Sequence, residues 1–128
     1  MKLHLFLASF VVTAAFAAAA DVQKITPAEA AKLVADGKAV LVDVREADEW
    51  ADGVAAPAEL LALSDLTGPR QTWKPFLEKN RDKELILYCR SGGRSGRAAQ
   101  LLAAEGYRTA NAGGFNDWAR ADLPTRRA

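Results

Sequence analysis

After residue 20, apolar residues form two short continuous runs, and segments with a helical period lie before, between and after them. Residues 39–44 and 84–88 are apolar nearly throughout, which predicts two strands buried on both faces. Helices are predicted over residues 26–36, 72–79, 95–105 and 115–121, with an acidic helical turn over 46–52 and a third strand over 107–110. Residues 54–70 show no clear period, so this segment is predicted to be mostly loop.

The first predicted helix has the residues that commonly begin and end helices. Thr26 is followed by Pro27 and, three residues after the cap, by Glu29, while Gly37 follows the expected last turn. Buried strands that alternate with helices are typical of an α/β fold, in which a mostly parallel central sheet is flanked by helices on both faces. Ligands of such open sheets bind at the carboxyl ends of the strands.

The first twenty residues have the pattern of a secretory signal peptide. Lys2 precedes an uncharged, largely apolar run from Leu5 to Phe16, and three alanines end the segment before Asp21. The apolar run is too short for a membrane-spanning helix. We therefore expect residues 1–20 to be removed and residues 21–128 to form a single domain. This domain is expected to be secreted, with the periplasm as its compartment, and to have no membrane anchor after cleavage.

Removal of the signal segment would leave a chain without histidine, because His4 is the only one. Ser-His-Asp and Cys-His hydrolases, histidine metal sites and histidine pH switches need an imidazole, so the remaining chain cannot form them alone. The acidic residues at 46–52 lack the spacing of a calcium-binding loop, and no metal site is predicted.

The composition of the 128-residue chain, with 50% hydrophobic residues and a formal charge of +1, fits one globular domain. Residues 21–60 contain nine acidic and four basic side chains, whereas residues 61–128 contain seven acidic and twelve basic ones. Acids dilute the basic excess and no aromatic residues interleave with it, so binding to nucleic acid is not expected.

Cys89 is the only cysteine, and it directly follows the second predicted strand. A secreted thiol with no partner in its own chain is open to oxidation and exchange, which favours a functional reason for its presence. The structural alternative is a buried cysteine that packs as a small apolar group.

The loop after this strand, Cys89-Arg90-Ser91-Gly92-Gly93-Arg94-Ser95, combines groups that hold an anion against a thiolate. The start of the next helix provides free N–H groups, and the two glycines can take positive φ and turn amides inward. Positive charge and hydroxyl donors come from Arg90, Arg94, Arg97, Ser91 and Ser95, the last of which could also cap the helix. These groups favour the thiolate, so we predict a Cys89 pKa well below its unperturbed value of about 8.5. The alternative is an ordinary glycine-rich turn with solvated arginines.

Three segments resemble motifs of the rhodanese family of sulfurtransferases and follow the family's order. They are Leu41-Val42-Asp43-Val44-Arg45-Glu46 for the first strand, Leu87 to Ser95 for the active-site loop, and Gly106-Tyr107 with Gly113-Gly114-Phe115-Asn116-Asp117-Trp118 for the closing signature. The resemblance covers nearly all of residues 21–128. It departs after Gly53, where Val54-Ala55-Ala56-Pro57-Ala58 stands in place of the usual His-Ile-Pro-Gly-Ala.

The resemblance implies that Cys89 attacks the sulfane sulfur of an anionic donor such as thiosulfate, holds it as a persulfide, and passes it to cyanide or a thiol. The substrate-binding residues would be Arg90, Ser91, Gly92, Gly93, Arg94 and Ser95, with the two arginines holding the donor. No metal or organic cofactor is implied, and the acceptor could also be a protein. The competing interpretation is a noncatalytic rhodanese-like module that binds an anion or docks a partner.

The length of the loop and the residues within it favour sulfur transfer over phosphatase chemistry. Four residues separate Cys89 from Arg94, a spacing that resembles the sulfur-transferring branch, whereas Cys-dependent phosphatases use five. The loop also contains no carboxylic acid to protonate a leaving group, so phosphatase and arsenate reductase activity are disfavoured. Asp43 and Arg45 are expected to pair with each other or with a loop, and the three tryptophans, Trp50, Trp73 and Trp118, to pack in the core or at its rim.

Overall fold

The computed structural model describes residues 22–128, and the predicted signal segment and its cleavage site lie outside the residues it describes. The strands are β1 (Gln23–Lys24), β2 (Ala39–Asp43), β3 (Val54–Ala55), β4 (Glu59–Leu60), β5 (Glu84–Cys89), β6 (Thr109–Gly114) and β7 (Thr125–Arg126). The helices are α1 (Pro27–Ala35), α2 (Ala47–Trp50), α3 (Leu63–Leu66), α4 (Trp73–Lys79), α5 (Gly93–Ala104) and α6 (Phe115–Arg120). None of these helices is long and apolar enough to cross a membrane.

The central sheet has five parallel strands in the order β1-β6-β5-β2-β4. β3 and β7 form a separate antiparallel pair. The two apolar runs of the sequence, β2 and β5, lie next to each other in the interior of the sheet. This arrangement confirms the predicted α/β fold with a parallel sheet, because strands in the interior of a covered sheet are apolar on both faces.

Successive side chains of β5 enter two different cores. Leu85, Leu87 and Cys89 pack in a core that also contains buried residues of α3, α4 and α5. Ile86 and Tyr88 point to the opposite face, where α1 and α6 contribute buried residues. The alternation follows from the two-residue period of a strand. Helices therefore cover both faces of the sheet, as predicted.

The prediction that residues 54–70 are mostly loop is wrong for much of this segment, which contains two short strands and a short helix. Val54 pairs with Arg126 in the β3–β7 ribbon, and Glu59 pairs with Val42 at the edge of the central sheet. Helix α3 follows at residues 63–66. The two strands have two residues each and form because each has a pairing partner distant in sequence, and α3 has only four residues, so the segment itself contains no period to detect.

Two boundaries that shape the loop also differ from prediction. The third strand spans Thr109–Gly114 instead of residues 107–110, and α5 begins at Gly93 instead of Ser95. Strand β6 is rich in Ala and Gly, which have weak strand propensity, and it forms because β5 pairs with it from Leu85 to Cys89. The register shifts between Leu87 and Cys89, where β5 ends and the loop begins.

Candidate active site

Cys89 ends β5 and is 1% exposed, with hydrogen-bond donors directed at its sulfur. The Gly92 N–H lies 3.0 Å from Sγ, and the Ser95 hydroxyl oxygen lies 3.3 Å from it. Burial alone would raise the pKa of Cys89, but hydrogen bonds from the Ser95 hydroxyl and from the backbone N–H groups of Ser95, Ser91 and Gly92 outweigh burial and lower it. The pKa shift has the direction that the sequence predicts, and it needs no histidine.

The turn that aims these amides depends on one glycine. Gly92 has a φ of 99° and is the N-cap of α5, a left-handed conformation that glycine adopts without steric cost. Gly93 is the first residue of α5 and does not have a positive φ, so the prediction of positive φ at both glycines is wrong for Gly93. Ser95 is also not the helix cap, because it lies within α5 with its hydroxyl toward the sulfur.

The loop is seated against β6 and the start of α6. A Cβ atom on Gly114 would overlap the carbonyl oxygen of Arg90, so only glycine allows the two backbones to approach this closely. The side-chain amide of Asn111 donates to the Gly92 carbonyl at 2.9 Å. Asn111 is not among the site residues that the sequence predicts. The available signal was a polar side chain in the middle of a short apolar stretch just before two glycines.

Arg94, one of the two arginines predicted to hold a donor, forms an ion pair with Glu49 of α2. The pair is bidentate, with guanidinium-to-carboxylate distances of 2.5 and 2.8 Å. It raises the pKa of Arg94 and lowers the pKa of Glu49 to about 2. The positive charge near Cys89 is therefore partly neutralised. The sequence placed Glu49 only among the acids of the helical turn and did not indicate this contact.

The other predicted site residues lie at the surface of the loop. Arg90, Ser91 and Gly93 are exposed, while Ser95 is fully buried. A small cavity of about 220 Å³ beside the loop is lined by Arg45, Arg90, Phe115 and Asn116, and also by the carboxylates of Glu49 and Asp52. Because Arg90 is exposed, its guanidinium can contact an anion that approaches the loop from solvent.

Asp43 and Arg45 form the buried pair that the sequence predicted. The guanidinium contacts the Asp43 carboxylate at 2.7 Å and the Gly53 carbonyl at 2.8 Å, and it stacks over the Phe115 ring at 4.7 Å. These contacts join β2 to the segment after α2. The pair therefore has a structural role beside the loop.

The arrangement combines a buried sulfur nucleophile, converging N–H donors and arginines at the carboxyl end of a parallel strand. Such donors stabilise negative charge on sulfur, which is needed for nucleophilic substitution at a sulfur or an electrophilic carbon. No group of three or more His, Cys, Asp or Glu side chains suited to a metal ion occurs within residues 22–128.

The fold and this loop define the class of protein. The model of the rhodanese-like domain family matches residues 26–121, and the chain belongs to that family. It is similar over 103 residues to the human thiosulfate:glutathione sulfurtransferase, with 33% identity, 70% of this chain covered and 87% of the human one.

Two further proteins show the same relationship. A sulfurtransferase of Allochromatium vinosum is 38% identical over 87 residues, which cover 66% of this chain and 76% of that protein. The crystal structure of a rhodanese-related protein from Thermoplasma volcanium superposes with a TM-score of 0.69 at 26% identity, covering 83% of this chain and 99% of the other. These relatives support a sulfurtransferase of the rhodanese type.

Proposed function

We propose that this protein transfers a sulfane sulfur from an anionic donor of the thiosulfate class to a nucleophilic acceptor, through a persulfide on Cys89. The observation that carries the proposal is the set of N–H and O–H donors around the Cys89 sulfur, which lowers its pKa without a general base. The thiolate attacks the outer sulfur of thiosulfate, a Cys89 S–S bond forms, and the S–S bond of thiosulfate breaks with sulfite as the leaving group. Cleavage of the new S–S bond by the acceptor returns the thiolate.

No proton needs to move in either half of this cycle. The attacking group, the leaving sulfite and the outer persulfide sulfur are all anions, so the site must stabilise negative charge and need not supply an acid or a base. The loop amides and the hydroxyl of Ser95 meet this need at Cys89. Arg90 is exposed at the loop, which favours binding of an anion, while Glu49 partly neutralises the charge of Arg94.

Cyanide or a small thiol is the proposed acceptor, and a sulfur-accepting protein is compatible with the same loop. Two relatives are named thiosulfate:glutathione sulfurtransferase, which supports a thiol acceptor here. A shallow loop of amides and arginines selects by charge more than by shape, which fits small anionic donors. No cofactor is part of the proposed cycle.

Steady-state turnover tests the proposal against a noncatalytic binding module. Purified protein is incubated with thiosulfate and cyanide, and thiocyanate is measured over time, beside a Cys89→Ser variant whose thermal melting matches that of the wild type. Sustained thiocyanate formation by the wild type alone is the expected result. Thiosulfate binding without thiocyanate formation would instead favour the binding module.

We also propose that the protein is exported and works outside the cytoplasm, because residues 1–20 have the basic start, apolar run and small terminal residues of a signal peptide. The test is the intact mass of the protein from the periplasmic fraction of a Gram-negative host. A chain that begins at Asp21 is expected, and a full-length chain confined to the cytoplasm would overturn the export proposal.

A further inference from the structure

The hydroxyl of Ser95 has more acceptors around it than it has protons. Its oxygen lies 2.8 Å from the side-chain oxygen of Asn111, 3.2 Å from the Gly92 carbonyl and 3.3 Å from the Cys89 sulfur. A serine hydroxyl donates one hydrogen bond at a time. Ser95 is fully buried and Asn111 is 9% exposed, so neighbouring protein groups, and not solvent, determine which acceptor receives the hydroxyl proton.

The hydrogen bonds of Asn111 decide where that proton lies. Its Nδ2 donates to the Gly92 carbonyl at 2.9 Å, and its Oδ1 accepts from the Gly113 N–H at 3.0 Å. This orientation leaves an oxygen without protons facing Ser95, so Ser95 is the donor in the 2.8 Å contact. While Ser95 donates to Asn111, the lone pairs of its hydroxyl face Sγ, and the hydrogen bond to sulfur that lowers the Cys89 pKa forms when the hydroxyl rotates toward Sγ. The first of these arrangements suits a neutral sulfur.

We infer that Asn111 is a positioning residue. Its side-chain oxygen accepts the hydrogen bond of the Ser95 hydroxyl while the Cys89 sulfur is neutral, and the hydroxyl donates to the sulfur instead when that sulfur becomes charged. The inference rests on the proposed function for its place in a reaction cycle. The geometry that carries it is the shorter Ser95-to-Asn111 distance of 2.8 Å beside the 3.3 Å distance from Ser95 to sulfur.

The sulfur of Cys89 alternates between these two states in the proposed cycle. It is an anion before attack on the donor and after release to the acceptor, and it is uncharged in the persulfide, where the outer sulfur carries the charge. Rotation of the Ser95 hydroxyl onto the sulfur accompanies each return of charge, because a hydrogen bond to an anion is stronger than one to an amide oxygen. Asn111 thus favours the neutral state, because its oxygen competes with the thiolate for the single Ser95 proton.

The other charged groups around the sulfur stay constant in the test. Arg94 of α5 with its partner Glu49 of α2, Arg90 of the loop, and Asp117 of α6, which accepts from the Gly114 N–H at 2.9 Å, are unchanged in every variant. A change in the titration of Cys89 between variants therefore reports the hydrogen bonds of Ser95 and Asn111.

The experiment measures the rate of iodoacetamide alkylation of Cys89 against pH in the wild type, Ser95→Ala, Asn111→Ala, Asn111→Leu and the Ser95→Ala/Asn111→Ala double variant. Leu nearly matches the shape of Asn, so Asn111→Leu controls for a cavity. Asn80→Ala removes another buried asparagine, which donates to the Phe76 carbonyl of α4, and controls for a general loss of stability. Thermal melting identifies the variants that fold.

The expected results differ in sign between the two positions. Ser95→Ala raises the Cys89 pKa, whereas both Asn111 variants lower it by at most about one unit, the equivalent of one neutral hydrogen bond. The shift is smaller than this limit to the extent that the hydroxyl donates to the Gly92 carbonyl, 3.2 Å away, while the sulfur is neutral. The limiting alkylation rate at high pH falls about two-fold in the Asn111 variants, because a better stabilised thiolate is a weaker nucleophile. In the Ser95→Ala background the Asn111 substitution has no further effect, and Asn80→Ala leaves the pKa unchanged.

An unchanged or raised pKa in a folded Asn111 variant overturns the inference, as does a pKa shift that persists in the absence of the Ser95 hydroxyl. Alkylation needs no sulfur donor, so this result is independent of whether the protein turns over thiosulfate. If the alkylation profile is as expected but no thiocyanate forms, the proposed function is overturned and the inference about Ser95 and Asn111 is still supported.

Discussion

Glu49→Gln is expected to strengthen productive binding of the anionic donor. The substitution keeps the size of the side chain and one acceptor oxygen for Arg94, but removes the carboxylate charge that now lies 2.5 and 2.8 Å from the guanidinium. Glu49 keeps this charge at all ordinary pH values, because Arg94 lowers its pKa to about 2. A doubly charged donor near the loop is therefore repelled by Glu49 while Arg94 attracts it.

The size of this effect follows from the exposure of the pair. The side chains of Arg94 and Glu49 are 33% and 22% exposed, so solvent screens their charges and one unit-charge interaction has a free energy of about 0.2 to 1 kcal/mol. Thiosulfate carries two negative charges, which doubles the range to roughly 0.4 to 2 kcal/mol. The expected gain in kcat/KM for thiosulfate is accordingly about two-fold to thirty-fold at low salt, and it shrinks as salt is added.

Glu105→Gln provides a matched control. Glu105 forms a comparable bidentate pair with Arg70, at 2.5 and 3.0 Å, with similar exposure. It follows the last turn of α5, about 18 Å along the helix axis from the loop at a rise of about 1.5 Å per residue. Rates of thiocyanate formation over a range of thiosulfate concentrations test both variants. A lower or unchanged kcat/KM for Glu49→Gln, or an equal rise for Glu105→Gln, would refute the reasoning.

Three further outcomes concern stability. The folded-state pKa of Glu49 is about 2 against an ordinary 4.5, so its ion pair stabilises the fold above pH 4.5 and this contribution is lost as the pH falls toward 2. The difference in urea unfolding free energy between wild type and Glu49→Gln should therefore be smaller at about pH 3 than at about pH 7. Within residues 22–128, Trp50 has a buried Nε1–H without a partner, so Trp50→Phe should be neutral or stabilising by about 1 kcal/mol. Trp73→Phe instead removes a 2.8 Å hydrogen bond to the Ala62 carbonyl and should cost about 1 kcal/mol or more in the same assay. Gly114→Ala places a Cβ against the Arg90 carbonyl oxygen and should lower the melting temperature by several degrees. Gly93→Ala places a Cβ in open space and should change the melting temperature little. Equal effects of the two substitutions would contradict the close packing of the loop on β6.

Features set by nearby residues were predictable from sequence. Strands β2 and β5 are continuous apolar runs, α1 has a complete capping pattern, and the Cys89 loop combines its glycines, serines and arginines within seven residues. In each case a short window contains both the signal and its physical cause. The fold class and the position of the loop follow from these elements alone.

Features set by distant residues were not predictable in the same way. The bidentate pair joins Arg94 to a residue forty-five positions earlier, and Asn111 reaches the loop only because β6 pairs with β5. Strand β6 itself has weak intrinsic propensity, and β3 needs Arg126 of the carboxyl-terminal segment as its partner. No single-window pattern indicates such contacts, because their stability comes from tertiary packing.

The central claim is that the sulfur of Cys89 accepts and holds a sulfur atom from a donor. Purified protein without its signal segment is mixed with an equal amount of thiosulfate, without cyanide or reductant, and its intact mass and the released sulfite are measured. The expected result is a gain of one sulfur atom per chain, one sulfite released per chain, and neither change in Cys89→Ser. An unchanged mass in the wild type, or the same gain in the Cys89→Ser variant, would contradict it.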